Sequence, residues 1–79
     1  MQLPPMRGSD IARRIERMGG VLVRQRGSHR RYRIDFVDAT GTRRSAFTTV
    51  PMHNRDMPIR TQYSIQRDLD EAFGKGWLL

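Results

Sequence analysis

The chain has 79 residues and a formal net charge of +7, from 15 basic and 8 acidic side chains, and it contains no cysteine. These values exclude disulfides and thiolate metal sites, and the longest apolar run, residues 21–23, is far too short to span a bilayer. Every basic residue except Lys75 is an arginine, and so cationic a chain predicts a polyanionic partner.

The beginning of the chain predicts an extended leader over residues 1–6, because it contains Pro4-Pro5. This segment lacks a charged region followed by an apolar core, so we expect a cytosolic protein without a secretory signal. The remaining length, residues 7–79, predicts one domain with a thin core.

The first periodic segment predicts a short helix over residues 10–18. Ile11, Ile15 and Met18 recur at spacings of four and three, as on the apolar face of a helix. Ser9 precedes them and is a good N-cap residue, because its hydroxyl can accept a hydrogen bond from a free backbone amide.

Three strands in a meander follow. They are predicted over residues 21–25, 30–36 and 45–50. In the second strand, Tyr32, Ile34 and Phe36 alternate with polar residues. If these apolar side chains pack beneath the helices, then His29 lies on the opposite, open face with the arginines of the same parity.

A second helix completes the predicted fold. Thr61 is its expected cap, Ile65 and Leu69 lie on its apolar face, and Gly74 ends it. Residues 77–79 could pack on the core or contact a partner, and the pattern does not distinguish these. The predicted class is α+β in the order α-β-β-β-α, with a three-stranded antiparallel sheet and two helices packed on one face.

The run from Arg24 to Arg33 contains one imidazole among many guanidinium groups. Arginine binds phosphate through a fixed fork of donors, while histidine changes charge near neutral pH. This combination favours phosphodiester chemistry, with His29 able to move a proton. The candidate phosphate-binding residues are Arg24, Arg26, Arg31 and Arg33, and the candidate turn residues that allow a backbone to approach are Gly27 and Ser28. The alternative is an exposed basic strand that contains a histidine by chance.

Two further residues have weaker cases. His53 lies in a polar loop after a proline and is a possible second proton carrier, or simply a solvated histidine. Phe47 is exposed if Ala46, Thr48 and Val50 face inward, and it would then be free to stack on a base. With two histidines and no thiolates, no structural zinc site is predicted.

The sequence also resembles a known family. The Gly19-Gly20 entry to a strand, followed by the run from Val23 to Tyr32 that contains Gly-Ser-His, resembles the HicA-type (YcfA-like) mRNA interferase toxins. Downstream, the segment Thr49-Val50-Pro51-Met52-His53 resembles the strand end and Pro-x-His of that family. The resemblance covers residues 6 to about 73, and it implies a double-stranded-RNA-binding-like fold.

This resemblance implies a toxin of a type II toxin–antitoxin system that cleaves mRNA without a metal or other cofactor. The family's cleavage residue corresponds to His29, and Gly27 corresponds to the tight-turn residue. The implied partners are mRNA and a cognate HicB-type antitoxin, with no membrane involved. The alternative is a non-catalytic double-stranded-RNA-binding-like module, which needs the basic face but no histidine. A small DNA-binding regulator is disfavoured, since strands follow the first helix directly.

Overall fold

A computed structural model describes residues 2–79. In chain order its elements are α1 (Gly8–Arg17), β1 (Val21–Arg26), β2 (His29–Val37), β3 (Arg43–Pro51) and α2 (Ile59–Phe73). The strands form one antiparallel sheet in the order β1-β2-β3, and the buried side of that sheet packs against both helices. The predicted α+β architecture is therefore confirmed. No helix within residues 2–79 is long and apolar enough to cross a membrane.

The start of α1 differs from the prediction, because Arg7 rather than Ser9 is the N-cap residue. The backbone amide of Arg7 donates to the carboxylate of Asp10 at 3.0 Å, and the Arg7 carbonyl accepts the first helical hydrogen bonds. The leader sets this earlier start, because the Met6 carbonyl accepts a bond from the Met57 amide at 2.8 Å. At the other end, Met18 lies beyond the helix and is exposed, so its predicted place on the apolar face is wrong.

The start of α2 also precedes the prediction. Its N-cap residue is Pro58, with φ of −53°, and the Pro58 carbonyl accepts bonds from the amides of Thr61 and Gln62. Proline fixes a backbone angle that suits a helix entry, so Thr61 lies inside the first turn instead of capping it. The predicted end is confirmed, since the helix stops at Phe73 and Gly74 adopts a φ of +99°.

The core lies between the sheet and the two helices. Tyr32 and Ile34 are buried as predicted, whereas Phe36 is only half-buried. The carboxyl-terminal segment packs on this core: Trp77 and Leu78 are buried, and the Trp77 indole N–H donates to the Gln66 carbonyl at 2.9 Å. Leader residues are buried too, and all buried apolar residues form one cluster, which comprises Leu3, Met6, Ile11, Ala12, Ile15, Tyr32, Ile34, Val50, Met57, Ile65, Leu69, Trp77 and Leu78.

The helices leave one face of the sheet uncovered. They contact mainly β2 and β3, and all six residues of β1 are exposed. Close packing joins α1 to the end of β3, because a Cβ atom at Gly8 would lie 2.1 Å from the carbonyl oxygen of Pro51. This contact fixes the end of β3, where Pro51 pairs with His29 across the sheet.

Candidate active site

A two-residue loop, Gly27-Ser28, joins β1 to β2 and presents the first residue of β2. Gly27 has a φ of +52°, and positive φ at the first loop position is the arrangement that favours glycine in a tight hairpin. Nothing lies within 4 Å of the place where a Cβ of Gly27 would stand. The Ser28 carbonyl accepts a hydrogen bond from the Met52 amide, which joins this turn to the end of β3.

His29 is exposed on the uncovered face of the sheet. It pairs with Arg26 on β1 and with Pro51 on β3, and the side chains of paired residues share a face. The orientation predicted from the alternation of β2 is therefore confirmed. The imidazole is accessible to a ligand that approaches the open face.

His53 lies next to His29, although it belongs to the loop after β3. The two imidazole rings have centroids 6.2 Å apart and planes at 84° to each other. Both rings line a pocket of about 260 Å³, together with Pro51, Arg55, Asp56, Met57, Pro58 and Thr61. At this separation one phosphodiester group can contact both imidazoles.

Three of the predicted phosphate-binding arginines converge on His29. A second pocket, of about 240 Å³, is lined by Arg24, Arg26, His29, Arg31 and Thr49. Within residues 2–79, no acidic side chain forms an ion pair with any of these three guanidinium groups. Their charge is therefore free to attract an anion beside the imidazole.

A bulge in β1 is responsible for that convergence. Leu22 pairs with Tyr32, a helix-facing residue, whereas Arg24 pairs with Arg31 on the open face. In a regular strand Leu22 and Arg24 would face the same side, so the extra residue, Val23, reverses the alternation. No sequence pattern revealed this change of face.

Arg31 is held in place by two neighbours on β3. Its Nη1 donates to the Thr49 hydroxyl at 3.0 Å, and its guanidinium carbon lies 5.2 Å from the centroid of the Phe47 ring. The ring of Phe47 is 42% exposed, as the predicted inward orientation of its neighbours requires. A guanidinium that is positioned by both contacts loses less side-chain entropy when it binds phosphate.

Arg33 is not brought together with His29. Its Nε lies 3.3 Å from the carboxylate of Asp35, and it lines a separate groove at the far end of the sheet with Arg43 and Arg44. Part of its charge is therefore neutralised by Asp35. We expect Arg33 to contribute less than Arg24 or Arg26 to binding beside His29.

The opposite face carries a structural cluster beside the site. The Tyr32 hydroxyl donates to the carboxylate of Glu16, and Arg30 lies 3.8 Å from the same carboxylate. Burial raises the pKa of the Tyr32 hydroxyl, and the hydrogen bond to Glu16 raises it further. This cluster connects α1 to the first residues of β2 and contributes no group to the open face.

Thr49, Arg55 and Asp56 also line the pockets beside the histidines, and no sequence pattern predicted this. Thr49 is identifiable only from the β2–β3 register, while the other two follow the Pro-x-His segment closely and belong to no pattern that marks a functional residue. Within residues 2–79, no three histidine, cysteine or carboxylate side chains are grouped as metal ligands.

A family model described as the HicA toxin of bacterial toxin–antitoxin systems matches residues 8–71. The match includes α1, the whole sheet, both histidines and α2 as far as Glu71. A search of curated proteins finds no match to this sequence. Because the family model covers most of the chain, the protein belongs to the HicA family and is a toxin of a toxin–antitoxin system.

Proposed function

We propose that this toxin is a metal-independent endoribonuclease that cleaves mRNA, with His29 as the principal catalytic residue. The observation that carries the proposal is the exposed position of His29 between a second imidazole, His53, and three arginines that form no ion pair within residues 2–79. Membership of a family of mRNA-cleaving toxins supports the same activity. Messenger RNA as the substrate implies that the toxin acts in the cytoplasm.

The arginines supply the binding step. Arg24, Arg26 and Arg31 offer guanidinium forks that can donate paired hydrogen bonds to phosphate oxygens. Their location beside His29 directs a bound phosphodiester toward the imidazole. Gly27 and Ser28 form the turn, and the open space beside Gly27 lets the RNA backbone approach the first residue of β2.

The chemistry is a transesterification within one ribonucleotide. Neutral His29 accepts the proton of the ribose 2′-hydroxyl, and the 2′-oxygen attacks the adjacent phosphorus. Charge that develops on the phosphoryl oxygens is stabilised by Arg26 and Arg31. The bond from phosphorus to the 5′-oxygen breaks, and that oxygen takes a proton from protonated His53. The products are a 2′,3′-cyclic phosphate and a 5′-hydroxyl, and solvent then restores both protonation states.

A cognate antitoxin of the HicB type would neutralise the toxin by covering the His29 face. The exposed arginines of that face favour an acidic partner surface, because opposite charges speed association. An acidic partner bound there would also exclude RNA from the same face. Such a partner and the RNA would compete for the same guanidinium groups.

The test compares the wild type with His29→Ala on a long mRNA, in the presence of excess chelator and with added Mg²⁺. We expect the wild type to cleave equally in both conditions and to release 2′,3′-cyclic phosphate ends, and His29→Ala to be inactive. Ser64→Ala, an exposed substitution on α2, serves as the control that keeps activity. Cleavage by His29→Ala at the wild-type rate would refute the proposal, and RNA binding without cleavage by the wild type would favour the double-stranded-RNA-binding alternative.

A further inference from the structure

The exposed ring of Phe47 lies on the same face as the candidate active site. Phe47 pairs with Arg33 across the β2–β3 ladder, as Pro51 pairs with His29, so these four residues share the open face. Phe47 and Pro51 are four positions apart on β3, which separates the ring from the imidazole by roughly 14 Å along the strand. That distance is a few nucleotides of a single strand.

The ring is not packed as a core residue would be. It is 42% exposed on the sheet face opposite the helices, and the guanidinium carbon of Arg31 lies 5.2 Å from the ring centroid. An aromatic side chain that only stabilises a sheet through cross-strand packing does not need an exposed ring beside a guanidinium group. An aromatic ring next to a guanidinium plane is instead a surface on which a nucleobase can stack, because both groups present a flat face.

The charge of the surrounding surface favours a nucleic acid strand as the ligand. The strand register assigns Arg24, Arg26, Arg31, Arg33 and Arg43 to the open face. The carboxylate on that face, Asp35, already pairs with Arg33 at 3.3 Å. A phosphate backbone can therefore follow the sheet from the pocket at His29 toward Phe47 without meeting an unpaired acidic group in the described strands.

We propose that Arg31 and Phe47 form a stacking platform for a base of single-stranded RNA, a few nucleotides from the phosphate that His29 attacks. The inference rests on the proposed function and adds the class of substrate to it. In a duplex each base is already stacked between its neighbours and its faces are unavailable, so the platform selects unpaired RNA. Stacking is tolerant of sequence, because every base has a flat face.

The experiment measures binding separately from cleavage. The probe is a short fluorescent oligouridine with 2′-O-methyl groups, which has no 2′-hydroxyl and is not cleaved; a 2′-O-methyl duplex is the comparison ligand. Anisotropy titrations compare the wild type with Phe47→Leu, which keeps apolar bulk, and Phe47→Trp, which keeps a stacking surface. The matched control is Phe36→Leu, because Arg44 lies over the Phe36 ring at 6.0 Å on the helix-covered face.

We expect Phe47→Leu to weaken single-strand binding at least about fivefold, and duplex binding less than about twofold. Phe47→Trp should bind the single strand as tightly as the wild type, with quenching of its indole emission. Phe36→Leu should leave binding unchanged. Unchanged single-strand affinity in Phe47→Leu, or equal loss for both ligands, would overturn the platform. Because the probe is not cleaved, neither result depends on whether His29 is catalytic, and the mRNA assay tests that point alone.

Discussion

The imidazoles of His29 and His53 meet edge to face with their centroids 6.2 Å apart, although one begins β2 and the other follows β3. Pairing of His29 with Pro51 and the bond from the Met52 amide to the Ser28 carbonyl create this proximity. A strand end and a hairpin turn thus bring together two groups that can each carry a proton.

Substitution of His53 tests whether this second imidazole takes part in the chemistry. We expect His53→Ala to lower kcat about 100-fold and to leave KM nearly unchanged, since general acid catalysis contributes about that factor or more. Cleavage assays of the wild type and His53→Ala at a series of mRNA concentrations measure both constants. A wild-type kcat in His53→Ala would show that His53 is a solvated histidine beside the site and takes no part in the chemistry.

The arginines that line the His29 pocket should differ from Arg33 in their effect on binding. Arg24→Gln and Arg26→Gln should each weaken binding of an uncleavable single strand and reduce the slope of log K against log salt by about 0.7, the value for one phosphate contact. Arg33→Gln should have a smaller effect, because Asp35 already neutralises part of its charge.

Anisotropy titrations at several salt concentrations measure these slopes. The control is Arg67→Gln, an exposed arginine on α2, which should leave the slope unchanged. Slope changes for Arg24→Gln and Arg26→Gln no larger than that for Arg67→Gln would contradict the assignment of the pocket as the anion site.

Two adjacent positions at the start of α1 should respond very differently to alanine. Gly8→Ala places a Cβ against the Pro51 carbonyl, which is rigid backbone, and should reduce the free energy of unfolding by about 1–3 kcal/mol. Ser9→Ala should change it by less than about 0.5 kcal/mol, because Ser9 is exposed and Arg7 is the N-cap residue. Urea denaturation of the two variants and the wild type measures both changes in the free energy of unfolding. A loss of about 1 kcal/mol in Ser9→Ala would restore Ser9 as the cap.

The Tyr32 hydroxyl should make stability sensitive to alkaline pH. Burial, with the hydrogen bond to Glu16, raises its pKa above the value of the unfolded chain, which is about 10. Its contribution is therefore constant below about pH 10 and is lost as the pH rises through the folded-state pKa. Tyr32→Phe should lower stability by about 1–2 kcal/mol at pH 7 through the missing hydrogen bond.

Urea denaturation of the wild type and Tyr32→Phe from pH 7 to about pH 11 isolates this effect. The contributions of other titrating groups cancel in the difference between the two free energies of unfolding. The difference in free energy of unfolding between the wild type and Tyr32→Phe should decrease only at the alkaline end of this pH range. A gap that narrows below pH 9 would point to a group other than Tyr32.

Local patterns were sufficient to predict the elements and the face on which His29 lies. Alternation of Tyr32 and Ile34 with polar residues is a property of one strand, so it specifies which side chains face the core. The predicted caps at Ser9 and Thr61 were wrong because the start of a helix is not set by the residues of the helix alone. Helix starts depend on the segments that precede them, here the leader bonded to Met57 and the proline at position 58.

By itself, the amino-acid sequence determined the α-β-β-β-α order, the cationic surface and the outward position of His29, because charge and period-two alternation are local properties. Only the tertiary structure decided which groups surround that imidazole. The bulge at Val23 turns Arg24 and Arg26 to the open face, and the end of β3 brings His53 to the turn. Both depend on strand register, which is set by contacts between residues distant in the chain.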